Sequence, residues 1–237
     1  MSKFKTKVAV ALSGGVDSAV SAYLLKKSGY DVHAFFMNNW TDHEYLCESN
    51  QDKEDAISIA DQLDIPISII SLESQYRTDV FQKMLADYKA GLIPNPDILC
   101  NRYIKFNAFI QYAMNLDMTL IATGHYAQIN QKQQLIQGCD PKKDQTYFLC
   151  GISHDVIQKT LFPIGHLHKH QVRQIAQENN LIVSRKKDSV GVCFVGPKSF
   201  KTFLQSHIIC GQGNIELEDG TIVGQHEGAI FYTLGQR

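Results

Sequence analysis

The stretch that decides the fold runs Lys7-Val8-Ala9-Val10-Ala11-Leu12-Ser13-Gly14-Gly15-Val16-Asp17-Ser18. Its first half is short and apolar, which is typical of a buried parallel strand. Two glycines follow, and apolar residues at helical spacing then continue to Lys27, just before Gly29. Glycines let the backbone approach an anion closely, and the amides at a helix N-terminus attract phosphate oxygens. The pattern therefore predicts a strand, a phosphate-binding loop and a helix.

Strands and helices continue to alternate through the first half of the chain. Strands are predicted at 32–37, 67–72 and 120–123, helices at 17–27, 52–63, 78–89 and 101–114, and a loop at 91–100. This alternation predicts an α/β fold with a doubly wound parallel sheet. Such sheets bind ligands at the carboxyl ends of their strands. We therefore expect the loops that begin at Ser13, Met37, Leu72 and Gly124 to meet in one crevice.

The pattern changes after about residue 138, where helices are predicted at 144–150 and 168–179 and a loop with one short strand at 184–196. From Pro197 onward, glycines separate short apolar runs, which indicates a second, β-containing unit. We assign residues 1–197 to the first domain. Residues 198–237 are expected to be the beginning of a small central domain that is incomplete.

Composition excludes several classes of protein. The chain has 237 residues, 44% of them hydrophobic, and a net charge of −1, which excludes wholesale disorder. No apolar run reaches the roughly 18 residues that span a bilayer, and none resembles a signal peptide, so we expect a cytoplasmic protein that binds no membrane. The six cysteines include no Cys-x-x-Cys pair. We expect most of them to be small buried side chains.

The phosphate loop is neither a Walker loop nor a dinucleotide fingerprint. Ser13 to Ser18, placed between a strand and a helix, resembles the PP-loop of the N-type ATP pyrophosphatase superfamily, whose members adenylate a substrate and release pyrophosphate. The resemblance implies an ATP site lined by Ala11, Leu12, Ser13, Gly14, Gly15, Val16, Asp17, Ser18, Met37 and Gly124. Because the Asp17 carboxylate would repel phosphate, we expect Mg²⁺ to bridge the two.

A second motif, Asn95-Pro96-Asp97-Ile98-Leu99-Cys100, places a carboxylate and a thiol just ahead of a predicted helix. A thiol at a helix N-terminus near basic residues is biased toward thiolate. Taken alone, Cys100 is equally consistent with a small buried residue. Cys193 is the other candidate nucleophile, since it also lies beside basic residues and glycines.

Both cysteine segments resemble the tRNA-specific 2-thiouridylase family. Other segments match that family in the same order, namely Ala122 to Ala127, Lys143 to Leu149, and Tyr232 to Arg237. The resemblance implies a tRNA-uridine 2-sulfurtransferase that uses ATP to adenylate the C2 carbonyl oxygen of the wobble uridine. Sulfur then comes from a persulfide on Cys193, and AMP and pyrophosphate are released. Cys100 forms a disulfide with Cys193 or frees hydrosulfide, and Asp97 acts as general acid or base.

The same resemblance implies partners and leaves alternatives open. It predicts tRNA contacts at Asn95, Pro96, Asp97, Lys143, Asp144 and Gln145, with tRNAs for Lys, Glu and Gln as substrates and a sulfur-relay protein as donor. The resemblance implies that members of the family continue beyond Arg237 into a C-terminal β-barrel, which we expect this chain to lack. A truncated nucleotide-binding module without thiolase activity, or a small-molecule adenylating ligase, therefore remains an alternative.

The remaining cysteines and histidines are expected to be structural. They comprise Cys47, Cys139, Cys150, Cys210 and His125, while His166, His168 and His170 suggest a metal site only weakly.

Overall fold

The computed structural model describes residues 5–40, 46–188 and 200–232. Its centre is a sheet of five strands: β1 (Lys7–Ala11), β2 (Asp31–Asn38), β3 (Ile67–Ser71), β4 (Leu120–Ala122) and β7 (Thr160–Leu161). The strand order is β3-β2-β1-β4-β7, and all neighbours are parallel. The predicted parallel α/β sheet is confirmed. Within the described ranges, no helix is long and apolar enough to cross a membrane.

The helices of the described residues are α1 (Val16–Lys27), α2 (Leu46–Gln62), α3 (Glu73–Tyr76), α4 (Lys83–Lys89), α5 (Pro96–Leu99), α6 (Phe109–Asn115), α7 (His154–Ile157), α8 (Lys169–Glu178) and α9 (Phe200–Gln205). Two π-helical stretches, Arg77–Gln82 and Cys100–Ala108, join α3 to α4 and α5 to α6. Short 3₁₀ turns cover Thr146–Leu149 and Ala229–Phe231.

The central strand β1 is buried on both faces, because its alternate residues belong to two different cores. Val8 and Val10 pack in one core with residues of α1, α2 and α8. Ala9 and Ala11 pack in the other, with the helical region between residues 73 and 115. A strand covered on both faces needs apolar side chains throughout, which explains its short continuous apolar run. The phosphate loop thus follows the most deeply buried strand.

Three short segments differ from the predictions. The predicted loop at 91–100 ends early, because Asn95 caps a helix that begins at Pro96. The helix predicted at 144–150 is only the turn Thr146–Leu149, since the Asp144 carboxylate accepts bonds from the local backbone instead. Strand β7 has only two residues, too few to show any periodicity.

The described part of the second unit contains a helix and a hairpin. Helix α9 was not predicted, yet Phe203 lies 6.0 Å from Phe81 between ring centroids and belongs to the same core. The hairpin consists of β8 (Gly213–Glu216) and β9 (Ile222–His226), and a smaller hairpin, β5 (Ala127–Ile129) with β6 (Leu135–Gln137), follows β4. The division at residue 197 stays a prediction.

Candidate active site

The loop between β1 and α1 is tight enough to require glycine. Gly14 has φ +77°, and a Cβ atom there would lie 2.2 Å from the carbonyl oxygen of Asp52. Gly15 is the extended N-cap of α1. The serine hydroxyls hold the loop closed, because the Ser18 Oγ accepts from the Ser13 amide at 3.2 Å and donates to the Gly15 carbonyl at 3.0 Å. The first amides of α1 have no intrahelical acceptors, so the loop can bind an anion.

The end of β4 packs directly against this loop. A Cβ atom on Gly124 would lie 2.8 Å from the Ser18 amide nitrogen, so only glycine fits. Ala11 and Leu12 are buried behind the loop, and the Leu12 amide donates to the Phe35 carbonyl of β2 at 2.9 Å. Met37 lies at the carboxyl end of β2 in register with Ile70. The loops after β1 and β4 therefore meet, as expected for a ligand site at a sheet edge.

Asp17 already has two partners within the chain. Lys169 Nζ donates to both of its carboxylate oxygens at 2.8 Å, and the Tyr126 hydroxyl donates to Oδ1 at 2.8 Å. Burial and the adjacent carboxylate raise the pKa of Tyr126, so this hydroxyl keeps its proton. Neither partner was predicted from the sequence. Tyr126 lies in the segment that follows β4, and Lys169 lies among histidines that drew attention only as metal ligands.

A charge cluster connects the loop to residues 186–188. Lys169 Nζ also lies 2.8 Å from Asp188 Oδ1, while Arg173 and Lys143 contact the same carboxylate at 2.7 and 2.8 Å. Partial burial alone would raise the pKa of Asp188, but hydrogen bonds from Lys143 and Lys169 and their charges lower it to about 2. Lys186 donates to the Gly14 carbonyl at 3.1 Å and pairs with carboxylates of α2. Residues 186–188 are thereby fastened to the phosphate loop.

The Asn95–Cys100 segment forms the start of a helix, not the approach to one. The Asn95 Oδ1 accepts from the Asp97 and Ile98 amides at 3.0 and 3.3 Å, and Pro96 occupies the first turn. Asp97 reaches the surface, yet partial burial of its carboxyl group raises its pKa, against the opposing charge of Lys105. Cys100 is buried at the start of the π-helical stretch. The predicted position of both residues ahead of the helix was wrong, because the cap moves the helix start to Pro96.

The Lys143–Gln145 segment is occupied by internal contacts. Lys143 pairs with Asp188, the Asp144 Oδ1 accepts from the Gly138 amide at 2.9 Å, and the Gln145 Oε1 accepts from the Tyr126 amide at 3.0 Å. Asn101, which was not among the predicted site residues, donates from Nδ2 to the Phe148 carbonyl at 3.0 Å. That bond ties the 3₁₀ turn that follows this segment to the helical stretch that begins at Cys100. Contact of these residues with tRNA stays a prediction.

Cys193 lies outside the described residues, as does the side chain of Cys47. The expectation that most cysteines are buried is wrong for Cys139 and Cys150, which are exposed, and Cys210 is half-buried. Short loops place Cys139 and Cys150 at the surface, where neither side chain contributes to a hydrophobic core.

His166, His168 and His170 are not arranged as a metal centre in the described part of the chain. Across the described part of the chain, no group of three or more histidine, cysteine or acidic side chains is arranged to hold a metal ion. His168 stacks on His170 with ring centroids 5.6 Å apart. His125 is buried and bonds through Nδ1 to the Thr123 hydroxyl at 2.7 Å, and burial lowers its pKa well below the usual value. His125 is therefore a neutral packing residue.

The groups near the loop fit Mg²⁺ only together with phosphate. Asp17 is a single carboxylate, and Lys169 and Tyr126 occupy its oxygens. Mg²⁺ usually binds through one or two carboxylates plus substrate phosphates. Asp17 could supply the protein ligand of such an ion.

Fold and site together define a PP-loop protein of the nucleotide-binding α/β type. A family model described as "tRNA methyl transferase HUP domain" matches residues 6–197, and one described as "tRNA methyl transferase PRC-barrel domain" matches residues 201–237. The chain belongs to this family, that of the MnmA tRNA 2-thiouridylases.

Curated relatives agree with this assignment. A protein named tRNA-specific 2-thiouridylase MnmA from Streptococcus thermophilus is 47% identical over 239 residues, which cover 98% of this chain and 64% of the relative. The MnmA of Streptococcus pyogenes is 48% identical with the same coverage. The chain thus spans 64% of the length of these relatives.

A solved structure shares the fold. The U34-tRNA thiolase NcsA from Methanococcus maripaludis, described with its [4Fe-4S] cluster, is 17% identical with a TM-score of 0.51. The match covers 85% of this chain and 63% of that one.

Proposed function

We propose that this chain carries the catalytic residues of an ATP-dependent tRNA-uridine 2-sulfurtransferase. The observation that supports this most strongly is that Asp97 and Cys100 lie on one capped helix in a chain whose PP-loop is intact. The curated relatives are named tRNA-specific 2-thiouridylases. The substrate atom is the C2 carbonyl oxygen of the wobble uridine, which is a poor leaving group until it is adenylated.

The phosphate loop holds ATP for this adenylation. The amides of the first turn of α1 face the phosphates. The absence of a side chain at Gly14 and Gly124 lets the neighbouring backbone pack closely enough to hold the loop in this conformation. Mg²⁺ bound through phosphate beside Asp17 would neutralise charge on the departing pyrophosphate. The uridine oxygen attacks the α-phosphate, and pyrophosphate leaves.

The two cysteines carry the sulfur step. A donor protein transfers sulfur to Cys193 as a persulfide, and the terminal sulfur attacks C2 of the adenylated uridine. The Cys100 thiolate then attacks the Sγ atom of Cys193, which breaks the persulfide bond, leaves the terminal sulfur on C2 and releases AMP. The resulting Cys100–Cys193 disulfide must be reduced by a thiol before another cycle. Release of free hydrosulfide by Cys100 is the alternative route.

Asp97 is suited to proton transfer in this reaction. Because partial burial raises its pKa, the carboxyl group holds a proton closer to neutral pH than an ordinary aspartate does. Asp97 lies three residues before Cys100 along the same helical stretch, about one turn away, which supports a role for its carboxyl group close to the proposed sulfur transfer. Asn95 and Pro96 would contact the target base, and the segment Lys143 to Gln145 would contact the tRNA.

Substrate tRNAs for Lys, Glu and Gln are part of the proposal, as is a sulfur-relay donor. The test is to incubate the chain with ATP, Mg²⁺, a persulfide donor and unmodified tRNA, and to quantify 2-thiouridine by mass spectrometry. We expect thiouridine at position 34 and stoichiometric AMP. ATP binding without any thiouridine would instead favour a nucleotide-binding module. Adenylation of a small molecule in the absence of tRNA would favour a ligase, for which a thiol pair has no use.

A further inference from the structure

Lys169 carries a positive charge where helix stability does not require one. It is the first residue of α8, and helix dipoles favour cations at the opposite end. Its side chain is only 13% exposed, although a buried ammonium is costly unless it is paired. Lys169 pairs with two carboxylates. One is Asp17, in the phosphate loop, and the other is Asp188, in the segment that is fastened to that loop. The position of Lys169 therefore needs an explanation other than helix stability.

Neither carboxylate depends on Lys169 alone. Asp188 also pairs with Arg173 through Oδ1 and with Lys143 through Oδ2. Asp17 also accepts from the Tyr126 hydroxyl, and its side chain is 31% exposed, so water can reach it. The third nearby carboxylate, Asp140, accepts from the backbone amides of Lys142 and Lys169 and does not take up the ammonium. Lys169 can thus leave Asp17 without stranding a buried charge.

We propose that Lys169 is a phosphate-binding residue of the nucleotide site, whose ammonium leaves Asp17 for a phosphate oxygen when the pyrophosphate part of ATP binds. This inference rests on the proposed function, in which the loop from Ser13 to Ser18 binds ATP. Without nucleotide, the Lys169 ammonium donates to both oxygens of the Asp17 carboxylate at 2.8 Å and so stays at the phosphate loop. With nucleotide, phosphate replaces that carboxylate as the anion, and Asp17 becomes available to a divalent cation.

Titration calorimetry of the full chain with inorganic pyrophosphate, ATP and AMP tests this exchange, first without divalent cations. We expect Lys169→Met to weaken pyrophosphate and ATP binding by about tenfold or more, because a charge-assisted bond to phosphate is lost. AMP binding should stay within roughly a factor of two, since AMP lacks the pyrophosphate. Lys169→Arg should retain much of the affinity. Lys132→Met, on an exposed turn, is the matched control and should bind all three ligands normally.

Asp17→Asn separates ligand exchange from a structural role. Asp17 competes with phosphate for the ammonium, so removal of its charge should tighten pyrophosphate binding several-fold in the absence of divalent cations. Relief of the repulsion between Asp17 and phosphate would also tighten binding, but by the same factor whether or not Lys169 is present, so the gain should be largely lost in the double variant Asp17→Asn/Lys169→Gln only if the ammonium moves to phosphate. This variant also carries the test if Lys169→Met fails to fold, as judged by circular dichroism.

The outcomes separate the two proposals. Wild-type pyrophosphate affinity in folded Lys169→Met, or no gain in Asp17→Asn, would overturn the role of Lys169 and leave the proposed function standing. Normal pyrophosphate and ATP binding with no thiouridine would overturn the proposed function alone. If the unmodified chain bound no pyrophosphate, both would be wrong.

Discussion

Gly124, at the end of β4, lies against the amide of Ser18 in the first turn of α1, and a Cβ atom at residue 124 would be 2.8 Å from that nitrogen. The same atom would be 2.9 Å from the carbonyl carbon of Asp17. Both neighbours are backbone atoms and cannot rotate away. The contact joins two strand ends into one site, and it does so only because residue 124 has no side chain.

We expect Gly124→Ala to displace the phosphate loop. The added methyl group must push the first turn of α1 outward, at a cost of about 1–3 kcal/mol in the free energy of unfolding. Pyrophosphate and ATP binding, measured by calorimetry, should fall by about tenfold or more because the loop amides lose their alignment. Gly211→Ala is the control, since a Cβ atom there meets nothing within 4 Å. Equal affinities for the two variants would contradict the assignment of this loop.

The two candidate nucleophiles should act after adenylation. Cys100→Ser and Cys193→Ala are each expected to abolish thiouridine formation while tRNA-dependent pyrophosphate release continues, because neither thiol takes part in attack on the α-phosphate. Mass spectrometry of the tRNA and a pyrophosphate assay measure the two steps separately. Cys150→Ala, a change at an exposed cysteine, is the control and should keep both activities. Full thiolation by both nucleophile variants would exclude the sulfur mechanism.

We expect Asn95 to stabilise the fold in addition to its proposed contact with the target base of the tRNA. Asn95→Ala removes the oxygen that accepts from the Asp97 and Ile98 amides, and loss of such a cap costs about 1 kcal/mol. Urea denaturation followed by circular dichroism measures this loss. Asn95→Ser keeps a capping oxygen and should restore most of the stability. If both variants were as stable as the parent, the capped start of α5 would be wrong.

We expect the ion pairs of Asp188 to make a pH-dependent contribution to the free energy of unfolding. Its pKa is lowered in the folded chain from 3.8 to about 2, so the ionised form stabilises the fold above pH 4 and this stabilisation disappears as the pH falls toward 2. With allowance for its partial exposure, the contribution is about 1 kcal/mol. The difference in unfolding free energy between the parent and Asp188→Asn, measured by denaturation across this range, should shrink with acidification. Asp61→Asn, at an exposed carboxylate near the end of α2, is the control. A difference independent of pH would contradict the paired state of Asp188.

Local sequence patterns predicted most strands of the sheet, but they did not predict the elements that connect the sheet to the second unit. The apolar run at β1 and the glycines after it predicted the loop. Both signals, the hydrophobic pattern of a strand and the turn preference of glycine, are carried by a few neighbouring residues. Strand β7 and helix α9 were missed. The two residues Thr160 and Leu161 form a strand only because Ile121 and Ala122 lie beside them, and α9 is held by packing such as that of Phe203 on Phe81.

The sequence by itself determined the phosphate loop, the Asn95–Cys100 motif and the candidate role of Cys193, since each is carried by neighbouring residues. Only the tertiary structure decided which cations lie at the loop. The chain has 23 lysines and arginines, and nothing local distinguishes Lys169, which is 152 positions from its partner Asp17. An ion pair over that separation depends on how α8 packs against α1, and that packing follows from the whole core. The same holds for Lys186 and the carbonyl of Gly14, where chain folding brings a distant ammonium to a loop that the sequence had already defined.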